Sequence, residues 1–311
     1  MTVLVAGGAG FIGRTLTRTL VQEGHEVRIL DNLSLSTENL VPTDPNIHFY
    51  RGDLRDLDTL LTCMRDCDVV FHLAAPSSVI MFEEDPLNVT SSSVAGFLNL
   101  MEAARLRDVE KIVYASTAAV YEGQELPYRE DMILPRPVDL KALSKKFLED
   151  LVELYCIRYG LSAAAMRPFS VFGPGDESKH RYANVTTLFV SAMASGRRPE
   201  VWGDGNQTRD FIFVDDVARA FILASERKWK NEAFNVGTGI ETSFNQIVTV
   251  INEMLGTSIE PEYVPVKLPV YARRLKADTR KSQAMLNFRP KFTLKDGMAR
   301  ILGSQRAVAK G

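Results

Sequence analysis

Three glycines spaced three residues apart, Gly7, Gly10 and Gly13, stand near the start of the chain, and the carboxylate of Asp31 follows them. Glycines at this spacing permit a tight turn, close approach of the backbone to a pyrophosphate, and close packing of a helix on a strand. An acid about 20 residues further on accepts hydrogen bonds from an adenosine ribose and repels a 2′-phosphate. The pattern predicts a dinucleotide site that favours NAD over NADP. The alternative is a strand-to-helix turn that binds nothing.

The segments around these glycines match the unit that such a site requires. Residues 3–6 form a short apolar run, which is typical of a strand buried on both faces. A helix is predicted next, because Ile12, Leu16 and Leu20 are spaced four apart on one face. Its free N–H groups and positive dipole end would point at the phosphates. Residues 26–30 form the second predicted strand, with the carboxylate at its end.

The rest of the chain continues this alternation up to about residue 166. Further strands are predicted over 47–50, 69–74, 112–115 and 163–166, and helices over 56–64, 89–107 and 140–159. Alternation of this kind predicts right-handed βαβ units and therefore an α/β fold, a Rossmann-type doubly wound parallel sheet with helices on both faces. Ligands of such sheets bind beyond the carboxyl ends of the strands.

Beyond residue 166 the pattern changes to glycine-rich turns and shorter elements. These elements are predicted over 211–214, 216–225, 233–236 and 244–255. We therefore expect an NAD-binding Rossmann domain over residues 1–166 and a smaller C-terminal α/β substrate lobe over residues 167–311. Some later segments are expected to return to the large sheet.

Composition argues against several classes of protein. The 311 residues carry a net charge of −2, which gives no electrostatic case for binding nucleic acid or an anionic membrane. We see no signal peptide and no apolar run near the ~20 residues that a membrane span needs. Cys63, Cys67 and Cys156 lack the spacing of a metal or redox site. We expect reduced packing cysteines, no metal and a cytoplasmic protein.

Several short motifs occur in a fixed order along the chain. They are Gly7-x-x-Gly10-x-x-Gly13 with Asp31-Asn32, Asp53-Leu54, His72-Leu73-Ala74-Ala75, Ser116-Thr117-x-x-Val120-Tyr121, Ser144-Lys145, Arg167-Pro168-x-x-Val171-x-Gly173-Pro174-Gly175, and Gly203-Asp204-Gly205-x-Gln207-Thr208-Arg209-Asp210-Phe211. Together they resemble the extended short-chain dehydrogenase/reductase family, specifically its nucleotide-sugar epimerases and dehydratases, with the UDP-glucose 4-epimerases nearest. The resemblance covers nearly the whole chain and implies an NAD-dependent enzyme that acts on a UDP-sugar.

The resemblance also implies which positions contact the cofactor and the substrate. The implied cofactor positions are Gly7, Gly10, Phe11, Ile12, Gly13, Asp31, Asn32, Asp53, Leu54, Leu73, Ala74, Ala75, Lys145 and Pro168. The implied substrate positions are Ser77, Ser170, Trp202, Arg209, Arg273, Arg274 and Asp278. Thr117 would hydrogen-bond the sugar O4, Lys145 would hold the nicotinamide ribose, and Arg209 would neutralise the diphosphate.

Some of these positions have purely structural alternatives. Asp53, which the resemblance places at the adenine, could instead cap the following helix. Arg209 could pair with Asp210 or Asp215 rather than with a phosphate. Trp202 lies where the family holds the nucleotide base.

One departure from the family falls in its catalytic motif, Tyr-x-x-x-Lys. The lysine is present as Lys145, but the tyrosine position holds Lys141. Two positions four apart on a helix face the same way, and repulsion and desolvation there would lower a lysine pKa. Lys141 could then act as a neutral amine base. The alternative is that Lys141 turns to solvent and Tyr121, Tyr128 or a water relay removes the proton.

Other departures from the family pattern reduce the number of reactions to be expected. Ser93 and Ser170 stand where the family usually has asparagines, and Glu122 stands where glycine usually follows Val-Tyr. Ala118 and Ala119 occupy the positions of the Asp-Glu acid pair in sugar 4,6-dehydratases. An ordinary 4,6-dehydratase is therefore not expected, and the lost tyrosine weakens the case for an ordinary 4-epimerase.

Oxidation at C4 would also permit a different product. A C4 ketone acidifies the C5 hydrogen, so the C6 hydroxyl can leave, and return of the hydride then gives a 5,6-alkene. A 5,6-dehydratase of UDP-N-acetylglucosamine is known in this family, in tunicamycin-type antibiotic biosynthesis. Its base and acid would come from Glu122, Tyr128 and Lys141, although Glu122 could equally be a solvated loop carboxylate. The departures favour 5,6-dehydration over 4-epimerisation.

Two further classes stay open. A non-catalytic NAD or nucleotide-sugar sensor would explain the lost tyrosine, but the retained Thr117, Lys145 and Arg209 argue against it. A net oxidoreductase that releases NADH is neither favoured nor excluded.

A homodimer is expected from the resemblance. The helices predicted over 89–107 and 140–159 match those that form a four-helix dimer interface in the family. Leu148, Val152 and Tyr155 would lie either at that interface or in the internal core.

Overall fold

The computed structural model describes residues 1–268 and 271–308, with side chains described through residue 305. The strands are β1 Thr2–Ala6, β2 Glu26–Asp31, β3 Ile47–Arg51, β4 Val69–His72, β5 Lys111–Ala115, β6 Ala163–Pro168, β7 Ser170–Phe172, β8 Glu200–Trp202, β9 Thr208–Phe213, β10 Lys230–Val236, β11 Glu241–Ser243 and β12 Glu262–Val264. Seven of them form one parallel sheet in the order β10-β6-β5-β4-β1-β2-β3. The predicted doubly wound sheet is confirmed.

Ten α-helices are described besides three short 3₁₀ turns. They are α1 Phe11–Gln22, α2 Leu57–Cys63, α3 Val79–Glu84, α4 Pro86–Leu106, α5 Leu140–Tyr159, α6 Val185–Ala194, α7 Val214–Ser225, α8 Phe244–Leu255, α9 Arg280–Leu286 and α10 Leu294–Val308. The helix predicted to begin at residue 89 begins earlier, because Asp85 caps it and proline suits a first turn. None of the described helices is both long and apolar enough to cross a membrane.

Two apolar cores cover the two faces of the sheet. Val3 and Val5 of β1 face a core shared with α1 and α7, whereas Leu4 and Ala6 face a core shared with α2, α4 and α5. Successive strand residues point to opposite faces, so the unbroken apolar run of β1 supplies both cores. Each such buried aliphatic side chain contributes about 1.5–3 kcal/mol relative to an exposed one.

The second core also contains the buried face of α5. Leu148, Val152 and Tyr155 are buried in it, within a single chain. The suggestion that these three side chains form a dimer interface is therefore wrong. Cys63 and Cys67 are buried in the same core, as expected of packing residues.

The C-terminal part of the chain builds a smaller lobe and also completes the large sheet. β7, β9 and β11 form a three-stranded sheet, β8 pairs with β12, and a third core packs them with α6, α8 and α10. β10 instead returns to the edge of the large sheet. Its Val236 pairs with Pro168, so β6 continues through Arg167 rather than breaking there as predicted. The division at residue 166 is therefore crossed by β10.

The order of the large sheet reverses at β1, whose neighbours are β2 on one side and β4 on the other. A ligand crevice opens at such a switch point, beyond the carboxyl ends of the strands. The loop from β1 to α1 occupies it. Gly7 has a φ of +84°, and a Cβ built on Gly13 would lie 2.0 Å from the Gly7 carbonyl oxygen. Close packing of α1 on β1 thus requires glycine.

Substituting Gly13→Ala should destabilise the fold, since the new methyl group meets backbone that cannot rotate away. We expect a loss of about 1–3 kcal/mol in the free energy of unfolding, measured by urea denaturation. Gly303→Ala is the matched control, because it lies in α10 with open space around its Cβ and should be neutral or stabilising. Equal stability of the two variants would contradict this account of the loop.

Candidate active site

A cavity of about 1230 Å³ lies beyond the carboxyl ends of the central strands of the large sheet. Gly7, Leu73, Ser116 and Pro168 line it from the large sheet, and Arg209 lines it from the smaller lobe. A second cavity of about 100 Å³ lies beyond β2 and β3 and shares Gly7 with the first. An elongated ligand can therefore extend from one cavity into the other past the glycine loop.

The glycine loop provides backbone donors and a helix N-terminus. Gly10 caps α1 without a side chain of its own, so the N–H groups of the first turn remain open to an anion. A Cβ on Gly7 would come within 2.5 Å of the Ala74 nitrogen, which shows how closely the loop approaches the end of β4. Any residue larger than glycine at position 7 would therefore clash with the backbone of residues 73–74.

Asp31 closes β2 beside this loop. Its carboxylate accepts hydrogen bonds from the backbone N–H groups of Ala9, at 3.0 Å, and Leu33, at 2.9 Å. Burial raises the pKa of Asp31, although both hydrogen bonds act to lower it. Its oxygens retain further acceptor capacity for ribose hydroxyls within the smaller cavity.

Asp53 lies in the same small cavity and is fixed by side chains. Its Oδ2 accepts from Arg55 Nη2 at 2.8 Å and from Asn32 Nδ2 at 3.0 Å. The hydrogen bond from Arg55 holds the pKa of Asp53 well below its usual range. The alternative that Asp53 caps the next helix is wrong, because Asp56 caps α2. Leu54 lines this cavity next to it.

The predicted cofactor residues thus surround the two cavities. Those that line one or both are Gly7, Gly10, Phe11, Ile12, Gly13, Asp31, Asn32, Asp53, Leu54, Leu73, Ala74, Ala75, Lys145 and Pro168. The open N-terminus of α1 suits a pyrophosphate and the two carboxylates suit hydroxyl groups. These residues fit a dinucleotide.

Lys145 and Thr117 lie where β5 meets α5. Lys145 is buried, and its Nζ donates to the Ala115 carbonyl oxygen at 2.7 Å. Burial and, to a smaller extent, the charge of Lys141 lower the pKa of Lys145 to about 7, against a still smaller opposite effect of Glu149. Thr117 Oγ1 accepts from the Ala119 N–H at 3.2 Å and keeps its own hydrogen for another acceptor.

Lys141 lies in the first turn of α5, is half-buried and lines the large cavity. Its pKa is lowered chiefly by burial and also by Lys179, while Asp139 and Glu122 act to raise it. No hydrogen bond or ion pair of Lys141 is found within residues 1–268 and 271–305. The structure therefore places this amine at the cavity rather than in bulk solvent.

Glu122 lines the same cavity and is half-buried, unlike a solvated loop carboxylate. Burial raises its pKa, Asp139 raises it further, and Arg209 and Lys141 lower it. Glu122 is therefore a carboxyl group that can carry a proton more readily than an ordinary glutamate.

The two tyrosines proposed as alternative bases do not line the cavity. Tyr121 is fully buried, and its hydroxyl donates to Asn235 Oδ1 at 2.9 Å while accepting from Arg167. Burial raises the pKa of Tyr121. Tyr128 stacks on Tyr121 with ring centroids 5.1 Å apart, and burial and Glu122 raise its pKa too. Neither phenol is suited to accept a proton from a ligand.

Arg209 is a buried cation that lines the cavity. Its guanidinium lies 5.1 Å from the ring centroid of Tyr271, and Nη1 donates to the Thr208 carbonyl oxygen at 2.8 Å. The proposed pairing with Asp210 or Asp215 is wrong. Asp210 accepts from the backbone of 238–239, and Asp215 pairs with Arg300 instead.

Arg209 has no carboxylate partner in the part of the chain that the structure describes, and burial lowers its pKa. A desolvated guanidinium without a counter-charge is a site for a ligand anion.

Three predicted substrate residues are not brought to the cavity. Arg273 pairs with Asp204 at 3.3 Å, and Arg274 pairs with Glu241 at 2.7 Å. Asp278 is held by Arg280. Each charge is satisfied locally, and none of the three predicted residues lines the cavity. Their expected contact with the nucleotide is not supported.

The remaining predicted substrate residues, Ser77, Ser170 and Trp202, do line the cavity. Sequence reasoning missed Tyr271 and Lys179, which also line it. Tyr271 was detectable only as an aromatic residue beside the predicted Arg273. Lys179 follows the Gly-Pro-Gly turn and pairs locally with Asp176 at 2.6 Å, but its place at the cavity depends on tertiary structure.

Comparison with known proteins identifies a family and similar relatives. Residues 3–237 match the NAD dependent epimerase/dehydratase family. A UDP-glucose 4-epimerase from Mycolicibacterium smegmatis is 37% identical over 308 residues, which cover 97% of this chain and 97% of that protein.

Two solved structures are similar throughout. The UDP-glucose 4-epimerase of Thermotoga maritima with UDP-glucose has a TM-score of 0.93 at 30% identity, covering 99% of this chain and 100% of that one. The UDP-glucose 4-epimerase of Thermus thermophilus in complex with NAD has a TM-score of 0.89 at 33% identity, covering 98% and 99%.

The match spans most of the chain, and the cavities fit the cofactor for which the family is named. The resemblance seen in the sequence motifs is confirmed. The chain belongs to the NAD dependent epimerase/dehydratase family, within the extended short-chain dehydrogenases/reductases that act on nucleotide sugars, and its cofactor is NAD.

Proposed function

We propose that this protein oxidises a UDP-sugar transiently at C4 and re-reduces it, with 4-epimerisation as the net reaction. The observation that carries the proposal is one cavity that is lined by the glycine loop, by Lys145 and Thr117, and by the buried cation Arg209. This arrangement suits a sugar held between a dinucleotide and its own diphosphate. The similar UDP-glucose 4-epimerases support 4-epimerisation as the outcome.

NAD, when bound, supplies the acceptor and later the donor of a hydride at the sugar C4. Thr117 donates its hydroxyl hydrogen to the sugar O4 and so orients it. The side chain of Lys145 holds the nicotinamide ribose, and Arg209 neutralises the diphosphate. Holding both ends of the sugar nucleotide fixes C4 in place, which lowers the entropic part of the barrier.

Lys141 takes the place of the family's tyrosine as the base at O4. An amine accepts a proton only in its neutral form, and burial lowers the pKa of Lys141 so that more of this form exists near neutral pH. The amine accepts the O4 proton as the ketone forms and returns it when the alcohol is restored. The buried phenols of Tyr121 and Tyr128 do not line the cavity, which favours Lys141 over them.

A second outcome, 5,6-dehydration of UDP-N-acetylglucosamine, is favoured by one observation. Glu122 is a half-buried carboxyl group with a raised pKa that lines the same cavity as Lys141. A protonated carboxyl there could assist departure of a C6 hydroxyl while a base removes the C5 hydrogen. The departures from the family pattern at Lys141 and Glu122 are as compatible with this reaction as with epimerisation.

The products distinguish the two outcomes. We would incubate the purified protein with UDP-glucose and with UDP-N-acetylglucosamine in deuterated water and follow both by proton NMR. The proposal predicts a C4 epimer without deuterium at C4. Vinyl signals at C6 would establish 5,6-dehydration instead. Accumulation of NADH would indicate net oxidation, and unchanged spectra with retained NAD would favour a sensor.

Replacing Lys141 tests its assignment in the same assay. We expect Lys141→Ala to lower kcat by about 10²–10⁴-fold, because that is the usual contribution of a positioned acid–base group. Lys141→Arg keeps a charge that cannot be released and should be as inactive. Lys141→Tyr restores the family's phenol and should retain turnover.

The pH dependence of the rate also tests whether Lys141 acts as the base. The wild-type rate should rise with pH through the lowered pKa of Lys141, and Lys141→Tyr should show a different profile. Lys146→Ala is the control, since its side chain pairs with Asp150 and does not line the cavity. Full turnover by Lys141→Ala would show that another group is the base.

We also propose that the chain forms a homodimer through α4 and α5. The two helices pack together, and both leave apolar side chains exposed. Those on α4 are Leu87, Leu98 and Leu106, and those on α5 are Leu143, Phe147, Leu154 and Ile157. The four on α5 fall on one helix face, which supports a second copy of this chain as the occupant.

Substituting Phe147→Glu should split the dimer, since it would place a charge within the apolar contact. Size-exclusion chromatography with light scattering should give a dimer for the wild type and a monomer for this variant. Ile240→Glu is the matched control at an exposed apolar residue outside both helices. A monomeric wild type, or a Phe147→Glu variant as dimeric as the control, would contradict the interface.

A further inference from the structure

A chain of buried polar side chains lies beneath the cavity and takes no part in the chemistry described above. It begins at Glu149 on α5. Ser116 Oγ donates to Glu149 Oε1 at 2.5 Å, and Arg167 donates to both carboxylate oxygens, from Nε at 2.9 Å and from Nη2 at 2.6 Å. Both side chains of this ion pair are nearly buried, at 12% and 5% exposed.

The chain of hydrogen bonds continues from Arg167 into β10. Arg167 Nη1 donates to the Tyr121 hydroxyl, which donates to Asn235 Oδ1 at 2.9 Å. Asn235 Nδ2 in turn donates to the Tyr128 carbonyl oxygen at 2.8 Å. The network therefore connects α5, β6, the turn after β5, and β10.

The position of Glu149 on α5 gives the network its relation to the site. Lys141, Lys145 and Glu149 are spaced four apart and share one face of the helix. Lys145 binds the Ala115 carbonyl oxygen, and Glu149 binds the hydroxyl of the next residue, Ser116. The segment that carries Thr117 is thus attached to α5 immediately before Thr117.

The same segment is also fixed after Thr117. The turn Ala118–Tyr121 follows it, and the Tyr121 hydroxyl is held by Arg167 and Asn235. The place of Thr117 relative to the two lysines therefore depends on groups that never reach the cavity. A buried ion pair is weak evidence for stability, because desolvation offsets much of the attraction, so a specific placement is the better account of it.

We propose that Glu149 and Arg167, with Tyr121 and Asn235, are positioning residues that set Thr117 against the Lys141 and Lys145 face of α5. Misplacement of a reacting group by a fraction of its contact distance lowers the rate far more than it lowers affinity. The anion of Glu149 also favours the protonated form of Lys145. The network therefore acts on geometry and on charge, and the two effects are separable.

Two substitutions separate the effect of the network on geometry from its effect on charge. Glu149→Gln removes the charge, so kcat should fall about 10–100-fold while KM changes little. Glu149→Gln should also move the pH profile of kcat to lower pH, by about half a unit or more, because loss of the anion favours the neutral form of Lys145, which also lies near Lys141 and the buried His72. Tyr121→Phe removes one oxygen and no charge, so kcat should fall about threefold or more with the pH profile in place.

Each substitution has a matched control. Glu153→Gln neutralises an exposed carboxylate one turn further along α5. Tyr114→Phe removes a hydroxyl that is equally buried but has no partner among the described residues. Both controls should keep the kcat and pH profile of the wild type. Thermal unfolding and NAD affinity establish that each variant is folded.

The inference rests on the proposed function, and the measurements distinguish failure of the one from failure of the other. If the wild type turns over no UDP-sugar, the proposed function fails, and the pH dependence of the NAD dissociation constant by calorimetry still tests the network. A folded Glu149→Gln variant whose kcat and pH profiles equal those of Glu153→Gln would overturn the inference. If Glu149→Gln does not fold, Tyr121→Phe decides, and its equality with Tyr114→Phe would overturn it.

Discussion

The site depends on the cost of removing positive charge from water. Lys141, Lys145 and Arg209 all line one cavity, and none forms an ion pair with a carboxylate in the described parts of the chain. Desolvated cations are expensive unless an anion or hydrogen-bond acceptor compensates them. Lys145 obtains one acceptor from the Ala115 carbonyl oxygen, and Arg209 obtains one from Thr208. The remaining charge favours an anionic ligand. Burial lowers the pKa of both lysines, and a neighbouring lysine lowers each pKa further.

The two lysines are held at the cavity by the packing of α5. The face of α5 that carries both lysines is fixed to the large sheet by its buried residues Leu148 and Val152. Since α5 begins at the cavity, its positive dipole end also opposes protonation of a lysine in its first turn. A base of this kind works only where the helix cannot withdraw it into solvent.

Much of the fold followed from local patterns in the sequence. The apolar run of β1 and the four-residue spacing in α1 depend on residues near one another, and these elements formed as predicted. The return of β10 to the large sheet was not predictable in detail, because strand order is decided by distant pairing. Helix starts moved where a cap such as Asp85 preceded the apolar residues.

The site was predictable where a residue's role depends on backbone geometry. It was less predictable where the role depends on which charged side chains form ion pairs. The glycine loop and Asp31 belong to the first kind. Arg273 and Arg274 belong to the second, because their carboxylate partners lie far away in the sequence. The contacts of Glu149 were likewise not predictable, since its partners are Ser116, which follows β5, and Arg167 in β6.

The central claim is that Lys141 has a lowered pKa in the NAD-bound protein and accepts the O4 proton as a neutral amine. Its most direct test is an NMR titration of the NAD-bound protein labelled with ¹³C at the lysine side chains, with Lys141→Arg to assign the signal. The account predicts that the signal lost in Lys141→Arg titrates well below the ordinary lysine pKa of about 10.4. Titration of that signal at or above this value would contradict it.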